Sequence, residues 1–284
     1  LNDYISVLRR IGAPVDRDLA QSKLPPRVEE TPDLYVSIPV AIEWIARSGR
    51  DLEPMVLGLL GAQNASLSSL HPVQQVAIVT AQTGLARLEA LALVSRFEDS
   101  ALEMAIRQEG EHVRVICDMA GLRGHPFVCF AEWLNLQAVI SVVRSVAGEY
   151  WCPRELCFVS SNRIPDTVRA AFPNTRIRVG QPHTSVTVGL EHLAQPTSDA
   201  APESDHRMAA SGPEDAHPET WEFASLLRML VQPYVSEGRA DVAFVAEMAG
   251  VSTRTLQRRL RECGTSFSRI LQEARFDLAR KLLG

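Results

Sequence analysis

The sequence of 284 residues predicts an α+β amino-terminal domain followed by an all-α helix-turn-helix domain. Three observations carry this expectation. Helical and strand-like apolar periodicities are mixed as far as residue 193, an acidic segment rich in proline and without periodicity follows, and beyond it two short amphipathic helices meet at a Gly-Val-Ser turn. The composition allows such a fold. With 46% hydrophobic and 22% charged residues the chain can bury a sizeable core, which excludes disorder throughout.

The amino-terminal elements follow in order. "LNDYISVLRRIG" places Tyr4, Val7, Leu8 and Ile11 at helical spacing, with Gly12 as a stop. "PVAIEWIARSG" repeats the arrangement between Pro39 and Gly49, and "GLARLEALALVSRF" is apolar at Leu85, Leu88, Leu91 and Ala92. Leu102, Met104 and Ile106, then Val113 and Val115, alternate about Gln108-Glu109-Gly110-Glu111, which is a hairpin signal. A helix from about Ala131 to Tyr150 is expected next, then short strands at "LCFVSS", "TRIRV" and "TSVTVGL".

Residues 194–220 hold Pro196, Pro202, Pro213 and Pro218 among Ser, Asp, Glu and Ala, and read as a flexible linker whose side chains stay solvated. The expected domains are therefore 1–193 and 221–284, on either side of this linker. Charge divides the same way. Against a net charge of -5, the chain from Arg239 onward carries nine basic residues and five acidic ones, so the acidity belongs to the amino-terminal part.

Several function classes are disfavoured. There is no long apolar run and no basic-then-apolar amino terminus, so a cytoplasmic address without membrane attachment is expected. The first residue is Leu1, and trimming at that end is expected. Cys117, Cys129, Cys152, Cys157 and Cys263 form no C-x-x-C pair and read as reduced thiols. The seven histidines, His71, His112, His125, His183, His192, His206 and His217, show no metal-ligand spacing, so no metal or cofactor is expected. "GLRGHPF" lacks the residues of a phosphate loop, and no G-x-S-x-G occurs, so the chain does not read as an enzyme. Trp44, Trp133, Trp151 and Phe130 are candidates to line an effector pocket, with core packing the simpler expectation.

The carboxy-terminal pattern is more specific. Val242, Val245, Ala246 and Ala249 share one side of a short helix, Gly250 ends it, Val251 can fill the gap between crossing helices, and Ser252 can cap the next. In that second helix, expected over 253–263, Leu256, Leu260 and Cys263 form an inward stripe. Arg254, Gln257, Arg258 and Arg261 form the outward one, and Gly264 closes the helix. Ala246, Gly250, Val251, Leu256 and Leu260 are the expected core of the motif. Arginine can pair with guanine and glutamine with adenine through two hydrogen bonds in the major groove. Base contacts are therefore assigned to Arg254, Thr255, Gln257 and Arg258, and phosphate contacts to Ser252, Thr253, Arg261 and Ser266. A merely solvated basic face is the alternative.

Val245 to Leu283, "VAEMAGVSTRTLQRRLRECGTSFSRILQEARFDLARKLL", resembles the first half of the DNA-binding domain of AraC/XylS-type transcriptional regulators. The resemblance rests on the Ser252 cap, Leu256-Gln257-Arg258, the Gly-Thr-Ser-Phe turn and the R-x-x-x-A-x-x-L-L helix that joins the family's two helix-turn-helix units. "YISVLRRIGAPVDRDLA", the helix-then-hairpin section and "CPRELCFVSSNRIPDTVRAAFPNTRIRVGQPHTSVTV" are similar to the arabinose-binding-like effector domain of one branch of that family. The family's second helix-turn-helix does not follow before Gly284, so truncation is expected, with a single-unit protein as the alternative.

The resemblance implies a ligand-responsive regulator that binds double-stranded promoter DNA and a small-molecule effector, forms a homodimer and has RNA polymerase as a further partner. Two rival classes stay open: an interaction module whose basic helix docks acidic proteins, and an enzyme with a nucleic-acid-binding appendage.

Overall fold

The computed structural model describes residues 1–25, 27–31, 34–67, 70, 72–98, 101–194 and 223–283. Apart from Ala194, the linker expected over 194–220 lies outside the described residues, as do His71, His206 and His217. The chain forms two compact units. The first comprises Leu1, Asp3–Ala13 and the described residues within Ile45–Gly212; the second comprises Asn2, the described residues within Pro14–Trp44 and those within Pro213–Gly284.

In chain order the elements are α1 (Asn2–Arg10), α2 (Val15–Ala20), α3 (Ile38–Ser48), α4 (Pro54–Ala62), α5 (Pro72–Val79) and α6 (Gly84–Glu98). Then come β1 (Glu103–Glu109), β2 (His112–Asp118), α7 (Cys129–Ala147), β3 (Glu155–Cys157), α8 (Asp166–Ala171), β4 (Arg176–Arg178), β5 (Thr184–Gly189) and α9 (Leu190–Leu193). The last four helices are α10 (Phe223–Val235), α11 (Val242–Met248), α12 (Thr253–Glu262) and α13 (Phe267–Leu283).

The first unit is built on a five-stranded sheet in the order β1-β2-β5-β3-β4, antiparallel except where β3 runs parallel to β4. The expected hairpin forms, with Glu109 opposite His112 across a two-residue turn. Alternation sends Val113, Val115, Val186, Val188 and Leu156 to one face, all nearly inaccessible, and there β2 and β5 meet α7. The opposite face carries a cross-strand row. Arg107 stands opposite Arg114, Arg114 opposite Thr187, Thr187 opposite Glu155, and Glu155 opposite Arg176.

Helix α7 is the centre of the unit and is buried on most of its circumference, from Phe130 and Trp133 to Val142 and Val143. It ends at Ala147, before the Tyr150 expected, because Gly148 leaves the helix with φ 97°. Helix α4 approaches closely because it lacks side chains at two places: a Cβ on Gly58 would lie 2.4 Å from the Trp133 ring, and one on Gly61 2.1 Å from the Tyr4 ring. The Tyr4 hydroxyl donates to the carbonyls of Gly58, at 3.2 Å, or Phe130, at 2.9 Å, so α1, α4 and α7 share one polar anchor. Trp44, Trp133 and Phe130 are core residues, while Trp151 is half-buried and packs edge-on against His192. Among the described residues no helix is long and apolar enough to cross a membrane.

The second unit has its own core, formed by Leu227, Leu230, Val231 and Tyr234 of α10, Val245, Ala246 and Met248 of α11, Leu256 and Leu260 of α12, and Ile270 and Ala274 of α13. Helix α10 lies along α13, and Arg228 reaches Glu273 at 3.8 Å and Asp277 at 4.0 Å. Segment Pro14–Trp44 belongs to this unit. Ser37 donates to the Met248 carbonyl at 2.7 Å, Tyr234 donates to the Lys23 carbonyl at 2.8 Å, and Lys23 pairs with Glu247.

Candidate nucleic-acid interface

Local sequence fixes the turn between α11 and α12. The Asp241 carboxylate begins α11 by accepting the N–H groups of Ala243 at 2.9 Å and Phe244 at 2.8 Å. The helix ends on Gly250, whose φ of 66° needs a residue without Cβ. There the N–H of Gly250 donates to the Glu247 carbonyl at 2.9 Å and that of Val251 to the Ala246 carbonyl at 3.0 Å. These two bonds close a Schellman motif and turn the chain. Val251, half-buried, packs against the core of the second unit.

Ser252 then begins α12, its hydroxyl accepting the Thr255 N–H at 3.2 Å and lying 2.9 Å from the Thr255 hydroxyl. The same closure recurs at the other end, where Gly264 donates to Arg261 at 3.0 Å and Thr265 to the Leu260 carbonyl at 2.9 Å. The Ser266 hydroxyl accepts the Arg269 N–H at 3.3 Å and starts α13. Each end of the helix is thus satisfied by residues next to it in sequence.

The faces of α12 divide cleanly. Leu256 and Leu260 are 0% exposed, whereas Arg254, Gln257, Arg258 and Arg261 are exposed on the other side. Thr253 and Thr255 are half-buried at the start of the helix, and Ser252 and Ser266 are exposed at its two flanking turns. One expected member of the inward stripe falls elsewhere. Cys263 is exposed, because it is the C-cap residue and the chain turns at Gly264 before another helical position can bring it over the core.

The arginines are not equivalent. Arg254 makes no side-chain hydrogen bond or ion pair among the described residues, while Arg258 pairs with Glu262 at 3.0 Å across one helical turn. Arg261 donates back to the Gln257 carbonyl at 3.3 Å. Arg259 lies with its guanidinium 5.5 Å from the centre of the Phe223 ring, a cation–π contact tying α12 to α10. The sequence pattern did not separate Arg259 from its neighbours, since Phe223 is far off in sequence. Asp241, also overlooked, was readable as an acidic residue before an apolar run. A free outward guanidinium and amide on a helix held by two caps can reach a major groove; Glu262 on that face opposes an approaching phosphate.

Comparison with known proteins places the rest of the chain. No curated protein matches it. Among solved structures, the transcriptional regulator CdpR from Pseudomonas aeruginosa is similar, with 20% sequence identity and a TM-score of 0.46 over 94% of this chain and 84% of that one. The model of the arabinose-binding domain of AraC transcription regulators, an amino-terminal domain, matches residues 12–197. Because that match spans most of the sequence, the chain belongs to the AraC-type transcription regulators that carry this amino-terminal domain.

Proposed function

We propose that the chain is a ligand-responsive regulator that binds promoter DNA in a sequence-specific manner through α12. The observation that carries this reading is the division of that helix, with Leu256 and Leu260 fully buried and Arg254, Gln257, Arg258 and Arg261 exposed opposite them. Arg254, Gln257 and Arg258, with Thr255 beside them, read base edges; Ser252, Thr253, Arg261 and Ser266 hold the phosphates flanking the reading site. Residues 1–193 act as the sensor and self-associate into a homodimer, 194–220 link, and 221–284 read DNA. RNA polymerase is the further partner of this assignment, and its address is the cytoplasm.

The test is a gel shift of the full chain with a fragment of its own promoter against random DNA at two salt concentrations. Preference for the promoter fragment, with affinity falling as salt rises, supports the reading. Equal, salt-insensitive binding to both fragments, or none, overturns it in favour of a basic helix that docks acidic proteins.

A further inference from the structure

We propose that the open face of the sheet in the first unit is the effector site, and that it takes a small organic monocarboxylate. A cavity of about 430 Å³ lies there, lined by Glu109, His112, Arg114, Arg154, Glu155, Arg176 and Thr187. Its size suits a small molecule. The site is assembled by register, not by sequence proximity: Thr187 sits between Arg114 and Glu155 in adjacent strands, Glu155 faces Arg176, and the Arg154 N–H donates to the Thr187 carbonyl at 3.2 Å.

The charges of this cavity do not balance. Three arginines meet two glutamates, and both glutamates are engaged by one arginine: Arg114 lies 3.0 Å from Glu109 and 3.3 Å from Glu155. Glu155, with a side chain only 14% exposed, is also 3.9 Å from Arg178. Arg154 contacts the His112 ring and no acid, and Arg176 has no side-chain partner among the described residues. Two guanidinium groups are therefore available on one rim, and the surplus of one positive charge in the lining fits a monoanion better than a phosphate dianion. Planar guanidinium groups pair best with carboxylates when both donors can be used.

A second observation points the same way. The Thr187 hydroxyl is buried, with the residue 7% exposed, and has no hydrogen-bond partner among the described residues. Buried hydroxyls are ordinarily paired, so one left unpaired on a residue that lines a charged cavity is a donor that a ligand oxygen can satisfy. Beneath the rim, Arg114 donates to the Ser185 hydroxyl at 3.3 Å, which fixes the floor of the site. The carboxylate sits between Arg154 and Arg176 with Thr187 donating to it, and Glu109 accepts from a hydroxyl or amino group at the other end of the molecule.

This inference rests on the ligand-responsive reading and is tested apart from it. The full chain is titrated calorimetrically at low salt with lactate, gluconate and 4-aminobutyrate, and with lactamide and inorganic phosphate for comparison. At least one carboxylate is expected to saturate, with lactamide and phosphate inert, and Arg176→Gln or Arg154→Gln should weaken it by roughly tenfold or more. Arg169→Gln, on α8 and outside the cavity lining, should leave it unchanged. Saturation by phosphate alone, no saturation by any carboxylate, or undiminished carboxylate binding by the Arg154 and Arg176 variants overturns the site. The promoter gel shift runs beside it: binding DNA but no carboxylate sinks the site alone, and binding carboxylate but no DNA sinks the regulator reading alone.

Discussion

The carboxylate of Glu132, fully buried in the first turn of α7, accepts the backbone N–H of Val159 at 2.6 Å. It also accepts the Ser160 N–H at 3.3 Å and the Thr184 hydroxyl, so one side chain closes the end of β3 and the start of β5 against the central helix. Glu132→Ala strands three donors at once, those of Ser160 and Thr184 buried, and the expected cost is about 3 kcal/mol or more. Glu132→Gln keeps an acceptor but loses the charge, and should cost about half as much. Urea denaturation of the full chain measures both; a Gln variant as stable as the unsubstituted chain would mean that these hydrogen bonds carry no charge-assisted strength.

The caps on either side of the α11–α12 turn should behave as local devices. Ser252→Ala removes the acceptor for the Thr255 N–H and is expected to cost about 1 kcal/mol. Gly250→Ala forces a side chain into φ 66° and should cost roughly 1–2 kcal/mol, although no atom lies within 4 Å of the added Cβ. Thermal melting of the full chain reads both. A neutral Gly250→Ala would show that the turn relaxes and that the left-handed conformation is not required.

The thiols sort by burial. Burial pushes Cys117 up to about 12, and burial with the nearby Glu132 charge does the same for Cys129, whereas Cys263 is exposed. Near pH 8, Cys263 should react quickly with a disulfide reagent, and Cys117 and Cys129 only after unfolding. Replacing Cys263 by Ser should abolish the fast phase. Because both buried thiols keep their protons in the fold and lose them near pH 8.5 when unfolded, their contribution to stability should fall as pH rises from about 8.5 towards 12. A melting temperature flat over that range would contradict the assignment of their burial as the cause.

What the sequence made legible was local. The hairpin announced itself through alternation about Gly110-Glu111, and the α11–α12 turn through Gly250, Val251 and Ser252, because each signal and its structural consequence lie within a few residues of one another. Helix α10 was hidden by Pro233 within it, and α4 by two glycines whose role is to let Trp133 and Tyr4 approach. Cys263 continued the inward stripe on paper, and only the cap geometry takes it out. The charged cavity was least legible. Arg114, Arg154, Arg176 and Thr187 are spread over four segments, and the strand order β2-β5-β3-β4 alone brings them together.

The DNA-reading assignment makes its sharpest prediction on α12 itself. Arg254, Gln257 and Arg258 project away from Leu256 and Leu260, so alanine at each should leave the melting temperature nearly unchanged. Arg254→Ala should remove a two-point base contact, cost about 1–3 kcal/mol of binding and relax preference at one operator position. Arg258 differs, since its guanidinium is held by Glu262 at 3.0 Å in an exposed pair that contributes only about 0.3–0.5 kcal/mol. Releasing it is cheap, and Glu262→Gln should tighten binding to every sequence by removing a negative charge from the DNA-facing side. Arg261→Ala should weaken all sequences alike and lower the salt slope by about one. Leu256→Ala is the contrasting control, expected to cost roughly 2–5 kcal/mol of stability because the side chain is fully buried. Each variant is measured for binding to the natural operator and to single-base variants at two salt concentrations. If Arg254→Ala and Arg258→Ala melt normally and bind with unchanged affinity and preference, while Glu262→Gln has no effect, then α12 does not face DNA and its arginines are solvated surface.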